Sequence, residues 1–205
     1  MKEYKRIDVL FDLETLSTNK NAAIIQISAK TFGCDINETF DCRVDLTSQL
    51  FNGGFDVSPS TIEWWKQQDY AQTYMDNPKQ KNILVISVAL KRFKSWIDYL
   101  ISITEGKDKK RLYIWCEGAD FDPAILNNAY SKVFGGTDLG TGISWYYRNL
   151  RDARTYINEI ARLKLGEDCD PYKDIPNMPD WIEHDPMSDI DNTIYRIQYV
   201  TDLLK

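Results

Sequence analysis

Two carboxylates lie one residue apart in an otherwise apolar stretch near the start of the chain, VLFDLETLS at residues 9–17. In a β-strand alternate side chains point to the same face, so Asp12 and Glu14 would project together. Two adjacent carboxylates repel unless one is protonated or a cation lies between them. Hard divalent cations such as Mg²⁺ and Mn²⁺ prefer oxygen ligands. The pair therefore indicates a metal site, although a solvent-facing strand or a strand end would also accommodate it.

A third candidate carboxylate is Asp122, in the segment WCEGADFDPAIL at residues 115–126. This segment predicts a strand that ends near Cys116, a glycine-containing turn, and a helix with Pro123 at its first position. Asp122 then either points toward the sheet or acts as the N-cap of the helix, a position that aspartate favours. Asp120 is the competing acid in the same segment.

The last candidate groups lie in the segment EHDPMSDI at residues 183–190. Asp185 is predicted to cap a helix whose first residue is Pro186, which places Asp189 one turn into that helix. His184, the single histidine of the chain, precedes the helix at the end of a long loop. An imidazole can accept a proton near neutral pH, so His184 is a candidate general base, although a lone histidine is more often structural.

The elements that would position these groups alternate between the strand period and the helix period. The predicted strands are 7–13, 23–32, 38–45 and 111–116, and the predicted helices are 60–68, 87–103, 122–134, 149–163 and 185–204. Ser60 is the expected N-cap of the first helix, with Glu63 as its capping-box partner. This order predicts a layered α/β structure in one domain, residues 1–205.

Composition and charge argue against several classes of protein. The formal net charge of -6 disfavours a protein that only coats nucleic acid through a basic surface. No apolar run is long enough for a transmembrane helix and the first residues lack a secretory signal, so the expected location is the cytoplasm. A single histidine and four cysteines without a CxxC pair argue against histidine- or cysteine-based metal sites. Acidic nucleases built on carboxylates remain compatible with this composition.

The candidate motifs, taken in chain order, resemble those of the DEDD exonuclease superfamily. They are DxE on the first strand, FD at a mid-chain helix start, and H-x4-D on the last helix, and the histidine-bearing form is that of the DEDDh branch. Further similarity to the exonuclease A group of T4-like phages, and to a related bacterial group of 3′–5′ exoribonucleases, lies in STIEWWKQQ, RDART and HDPMSDI.

This resemblance implies an RNase H-like fold, in which helices flank a mixed central β-sheet. It implies removal of nucleotides from a single-stranded 3′ end with two divalent cations, Mg²⁺ or Mn²⁺. Asp12, Glu14, Asp122 and Asp189 would hold the cations, and His184 would be the general base. A phage origin would place the protein in the cytoplasm of the host.

Aromatic side chains near the first motif are candidate substrate contacts, because single-stranded nucleic acid is held largely by stacking. Trp64 and Trp65 are adjacent on a predicted helix, so they point in different directions and only one is expected in the core. The sequence does not separate them, and Trp65 is assigned as the substrate contact. The resemblance adds Leu13 and Thr15, whose backbone groups would contact the terminal nucleotide.

Arginines provide the candidate phosphate contacts. Arg148, Arg151 and Arg154 recur every three residues, which predicts one helical face. Arg151 and Arg154 are assigned to substrate, although a solvated charged face is the alternative.

Three functions remain open from the sequence. The phage resemblance favours DNA as the substrate, whereas the bacterial relatives favour RNA. The motifs do not distinguish the two, because recognition of the 2′-OH depends on contacts that a sequence does not reveal. The third possibility is a catalytically silent module that binds nucleic acid or protein, which the presence of all five motif residues disfavours.

Overall fold

A six-stranded mixed β-sheet lies at the centre of the computed structural model, which describes residues 2–68, 83–135 and 145–205. The strands are Ile7–Thr15 (β1), Ile24–Phe32 (β2), Thr39–Val44 (β3), Ile83–Leu84 (β4), Leu112–Cys116 (β5) and Leu150–Asp152 (β6). Their order across the sheet is β4-β3-β2-β1-β5-β6. β1 to β3 form an antiparallel meander, and the other neighbouring strands pair in parallel.

Helices cover both faces of this sheet, so the predicted α/β class is confirmed. They are Thr47–Gly53 (α1), Pro59–Trp65 (α2), Ile86–Ser102 (α3), Asp122–Phe134 (α4), Ala153–Leu165 (α5), Pro171–Asp174 (α6) and Pro186–Asp202 (α7). Among the described residues, we find no helix with the length and apolar character needed to cross a membrane.

Side chains along β1 alternate between the two faces of the sheet, so successive residues pack against different helices. Phe11 points into a core formed with α3 and α4, where its ring centroid lies 6.2 Å from that of Phe93. Leu10 points to the opposite face, into a second core formed with α5 and α7. Burial of such a side chain contributes about 1.5–3 kcal/mol. Since Asp12 and Glu14 share the parity of Leu10, they lie on the face that α7 covers.

The start of α7 follows the prediction from the sequence. The carboxylate of Asp185 accepts hydrogen bonds from the backbone N–H groups of Met187 and Ser188, at 3.1 and 3.0 Å. Pro186 occupies the first turn, where its missing N–H costs nothing. The buried stripe of the helix is Ile190, Ile194, Ile197 and Val200.

The prediction of a helix over 149–163 is wrong at its start. Residues Leu150–Asp152 form the edge strand β6, which pairs with β5, and the helix begins only at Ala153. Asp152 explains the boundary, because its carboxylate accepts a hydrogen bond from the N–H of Thr155 at 2.7 Å and so caps α5. Arg148, Arg151 and Arg154 therefore do not share one helical face, and that prediction is also wrong.

The helix predicted over 60–68 also has different bounds. It begins at Pro59 and ends at Trp65, and the residue before it is Ser58. A proline at the first position fixes the start there, so the capping box assigned to Ser60 does not form. Helices α1 and α6 lie in stretches for which the sequence indicated only loops.

Candidate active site

Asp12 and Glu14 lie side by side beneath α7, and both are only partly exposed. Removal from water, together with the charges of Asp189 and Glu117, raises the pKa of Asp12 to about 7. Removal from water, together with the charges of Asp12 and Asp189, raises the pKa of Glu14 to about 10. Each acid therefore makes its neighbours harder to ionise, as expected of carboxylates that converge without a cation.

Asp122 is the first residue of α4, and its side chain is 3% exposed. It does not cap the helix, because Phe121 occupies the N-cap position and no side-chain cap bond forms. Burial and the charge of Asp12 raise its pKa well above the ordinary value, while the backbone N–H of Leu13 partly stabilises the charged form. The carboxylate thus faces the β1 pair, whereas Asp120, the competing acid, is exposed.

Asp189 completes the set from α7, and both of its oxygens are held by the preceding loop. The indole N–H of Trp181 donates to Oδ1 at 2.6 Å, and the backbone N–H of His184 donates to Oδ2 at 2.9 Å. Burial nevertheless raises the pKa of Asp189 to about 6. A carboxylate with two fixed donors has a fixed orientation, and the charge of Asp189 acts on both Asp12 and Glu14.

His184 lies at the end of that loop with a φ of +65°, a conformation that non-glycine residues rarely adopt. Its ring is partly buried against Trp64, with centroids 4.7 Å apart in an edge-on arrangement. Its Nε2 lies 3.8 Å from a carboxylate oxygen of Glu183. The backbone bond to Asp189 and the ring contact with Trp64 together hold His184 beside a cavity that Asp12 and Asp189 also line.

Glu117 is a fifth acid of the site that the sequence analysis missed. It follows β5 directly, and its charge raises the pKa of both Asp12 and Asp122. The hydroxyl of Thr193 on α7 donates to its Oε1 at 3.0 Å. The available signal was its position, since β5 runs parallel to β1 and ends at the same edge of the sheet.

Two cavities flank the β1 acids. The first, of about 330 Å³, is lined by Asp12, Glu117, Trp181, His184 and Asp189 among others. The second, of about 370 Å³, is lined mainly by Leu13, Glu14, Thr15, Trp64, Trp65 and Phe121, with four hydroxyl side chains from 17–18 and 60–61. A group bound at the acids can therefore extend in two directions.

The two tryptophans of α2 differ in burial but both line the second cavity, so the assignment of Trp65 as a substrate contact stays a prediction. Trp65 is 5% exposed, and its indole N–H donates to the backbone oxygen of Thr15 at 2.9 Å. Trp64 is 41% exposed. Trp65 thus holds the end of β1 through its indole N–H, whereas Trp64 is the more exposed of the two rings that line the second cavity.

The remaining candidate substrate residues lie at different distances from the acids. Leu13 is buried, so only its backbone can reach a ligand, and the hydroxyl of Thr15 donates to the backbone oxygen of Ser17. Arg154 is exposed and lies near enough to Asp122 to favour the charged form of that acid. Arg151 lies in β6, where its guanidinium donates to two backbone carbonyls.

The donor set fits a hard divalent cation in its chemistry, because every convergent group is a carboxylate. The raised pKa values indicate a place where added positive charge would stabilise the protein. Within the described residues, no three Asp, Glu, His or Cys side chains already form a group that could hold an ion.

We expect the metal-free protein to lose stability as the pH rises from about 5 to about 8. Asp12 and Asp189 have pKa values of about 7 and about 6 when folded, above the ordinary aspartate value of 3.8. The folded state thus binds more protons than the unfolded state across this window, so the free energy of unfolding falls, by about 4 kcal/mol from these two groups. Urea denaturation in EDTA measures this. Stability that is flat or rises over the window would contradict the electrostatic description of the site.

Comparison with known proteins gives one family and one relative along most of the chain. The family model described as the 3′–5′ exoribonuclease Rv2179c-like domain matches residues 7–201. The exodeoxyribonuclease of Enterobacteria phage T4 is 25% identical over 212 residues, which cover 94% of this chain and 88% of that protein.

Solved structures of exonuclease I resemble the chain in fold. The enzyme from Methylocaldum szegediense has a TM-score of 0.59 and 11% identity, over 95% of this chain and 40% of that one. E. coli exonuclease I in a zinc-bound complex with single-stranded DNA has a TM-score of 0.53 and 12% identity, over 98% of this chain and 40% of that one. This chain thus spans about two-fifths of their length. The likeness confirms the RNase H-like fold predicted from the sequence.

Proposed function

Because the chain belongs to the family of 3′–5′ exoribonuclease Rv2179c-like domains, which are DEDD-type 3′–5′ exonucleases, we propose that residues 1–205 form one exonuclease domain. It shortens single-stranded nucleic acid from the 3′ end and releases nucleoside 5′-monophosphates. The observation that supports this most strongly is the convergence of Asp12, Asp122 and Asp189 on Glu14, since the charge of each of the three raises the pKa of Glu14.

These four carboxylates would hold two divalent cations, Mg²⁺ or Mn²⁺. When bound, such ions make water more acidic and stabilise the negative charge on the attacked phosphate and on the departing oxygen. The protein contributes the geometry: β1 supplies two acids on one face, the start of α4 supplies the third, and α7 supplies the fourth. Trp181 and the backbone of His184 keep that fourth carboxylate in place.

His184 is the proposed general base. Its imidazole accepts the proton of the attacking water, whose oxygen forms the new bond to phosphorus while the 3′ oxygen of the shortened strand leaves. The ring borders the same cavity as Asp12 and Asp189, as this role requires. Because its backbone is fixed by Asp189 and its ring by Trp64, little reorganisation would accompany the proton transfer.

The second cavity is the proposed binding site of the terminal nucleotide. It begins at Glu14, and the aromatic rings of Trp64 and Phe121 line it. A base stacked on such a ring gains about 1–3 kcal/mol without any preference for sequence. The backbone of Leu13 and Thr15 borders the same space and can bond to the sugar or the phosphate.

DNA is the favoured substrate, because the T4 exodeoxyribonuclease is similar along nearly the whole chain. RNA is the second candidate, which the description of the matching family favours. Both candidates share the same metal chemistry, so they differ only in contacts to the sugar.

The decisive test uses 5′-labelled single-stranded DNA and RNA of the same sequence, with Mg²⁺, Mn²⁺ or EDTA. We expect a descending ladder with either metal, no cleavage in EDTA, and faster shortening of DNA. Faster shortening of RNA would select the second candidate. The absence of a ladder with every metal would reject the enzyme, and calorimetric titration with Mn²⁺ would then identify a silent module by its failure to bind ions.

A further inference from the structure

The three arginines that the sequence placed on one helical face instead follow the edge of the sheet. Arg148 lies in the single helical turn before β6, Arg151 lies in β6, and Arg154 lies in the first turn of α5. A chain that runs through a turn and a strand extends about twice as far per residue as a helix. The arginines are therefore spread along the β6 edge.

This line of charge begins close to the catalytic acids. Arg154 lies near enough to Asp122 to favour its charged form. In the register of the sheet Arg151 is opposite Trp115, which is opposite Leu10, two residues before Asp12. Two residues along a strand and two strand spacings across it give about 12 Å from Arg151 to Asp12.

The cations along the edge make no ion pairs within the described residues, although Asp108 and Asp152 lie in the same segments and bond to backbone N–H groups. Among the described residues, no carboxylate forms an ion pair with Arg148, Arg151 or Arg154. The guanidinium of Arg151 donates to two backbone carbonyls, and the Nε–H of Arg148 donates to the Tyr147 hydroxyl at 2.9 Å. Lys110, on the neighbouring turn, is exposed as well.

Aromatic rings alternate with these cations. The side chain of Tyr147 is 71% exposed, and its ring centroid lies 5.1 Å from that of Tyr146. The Nζ of Lys110 lies 5.7 Å from the Tyr146 ring, and the guanidinium of Arg151 lies 5.0 Å from that of Tyr113. We call this region the edge surface, formed by Lys109, Lys110, Tyr146, Tyr147, Arg148 and Arg151.

Exposed rings among unpaired cations are the combination that binds single-stranded nucleic acid, since the rings stack on bases and the cations contact phosphates. The whole chain carries a net charge of -6, so most of its surface repels a polyanion. The edge surface is an exception, and the arginines connect it with the acids.

We propose that the edge surface is a second binding site for single-stranded nucleic acid, which holds the strand upstream of the 3′ end during cleavage. This inference rests on the proposed exonuclease function. It predicts that the protein favours long strands over very short ones, because only a strand long enough to reach the edge surface gains these contacts.

The test compares kcat/KM for a trinucleotide and for a strand of about 20 nucleotides. In Lys110→Glu/Arg148→Glu, we expect kcat/KM to fall about tenfold for the long strand and less than about twofold for the trinucleotide. The matched control is Lys91→Glu/Arg92→Glu, which makes the same change in net charge on α3, across the sheet, and should affect neither substrate. Lys110→Gln/Arg148→Gln and Tyr147→Ala serve as milder variants if the first does not fold.

The dependence on salt provides a second measurement. Loss of two phosphate contacts should make the slope of log affinity against log salt shallower by about 1.4 for the long strand. An unchanged slope with unchanged kcat/KM would overturn the edge surface as a binding site, and so would equal losses on both substrates. If the unmodified protein cleaves neither strand, the proposed function itself fails.

Discussion

Replacement of Asp12 by asparagine is expected to abolish cleavage and, in the metal-free protein, to increase stability. Asparagine keeps the size of the side chain but removes the charge that a cation needs, so kcat should fall at least about 10⁴-fold. The same change removes a carboxyl group whose pKa is raised to about 7 by burial and by the charges of Asp189 and Glu117. We therefore expect the free energy of unfolding near pH 8 to rise by about 1–3 kcal/mol.

The paired measurements are the single-turnover rate in Mn²⁺ and urea denaturation in EDTA. Asp120→Asn is the matched control, because Asp120 is an exposed acid in the second motif and should change neither quantity. An inactive Asp12→Asn that is also less stable would indicate that Asp12 is a structural residue. Substantial activity in that variant would remove Asp12 from the ligand set.

The carboxylate site was accessible from the sequence because local rules position each of its members. The period of two along a strand put Asp12 and Glu14 on one face, and the capping pattern around Asp185 fixed the start of α7 and thus Asp189. The proline after Asp122 fixed the start of α4 in the same way. Each rule concerns only a few neighbouring residues.

Other features depend on contacts between distant residues, which a single sequence does not reveal. β6 has only three residues, and it is a strand because it pairs with β5. The sequence does not show this pairing, so the spacing of Arg148, Arg151 and Arg154 predicted a helix instead. The choice between Trp64 and Trp65 depends on the backbone oxygen of Thr15, 50 residues away, which accepts the bond from Trp65.

The loop before α7 shows the same limit. The sequence suggested only a long loop, but side chains at successive turns of α7 hold it through its backbone N–H groups. Asn192 accepts from Met178 at 2.8 Å, and Ser188 accepts from Ile182 at 2.8 Å. Together with the bonds to Asp189, these contacts fix the approach to His184. Polar contacts that carry no periodic signal thus fix the loop that leads to His184, the proposed general base.

His184→Ala is expected to slow cleavage about 10²–10⁴-fold while cation binding stays close to that of the unmodified protein. The reason is that the ring and the backbone of His184 make different contacts. Its ring faces the cavity, whereas the bond to Asp189 comes from its backbone N–H, which alanine keeps. The substitution therefore removes the proton acceptor and leaves the fourth carboxylate held as before.

Two measurements test whether the ring of His184 accepts the proton while its backbone supports Asp189. Calorimetric titration with Mn²⁺ should give the same number of ions in His184→Ala, and added imidazole should restore part of the rate. His184→Asn is the second variant, because asparagine tolerates the positive φ of +65° better than alanine does. Wild-type turnover in either variant would reject the base assignment. Loss of cation binding in both would instead show that the ring, and not the backbone, supports Asp189.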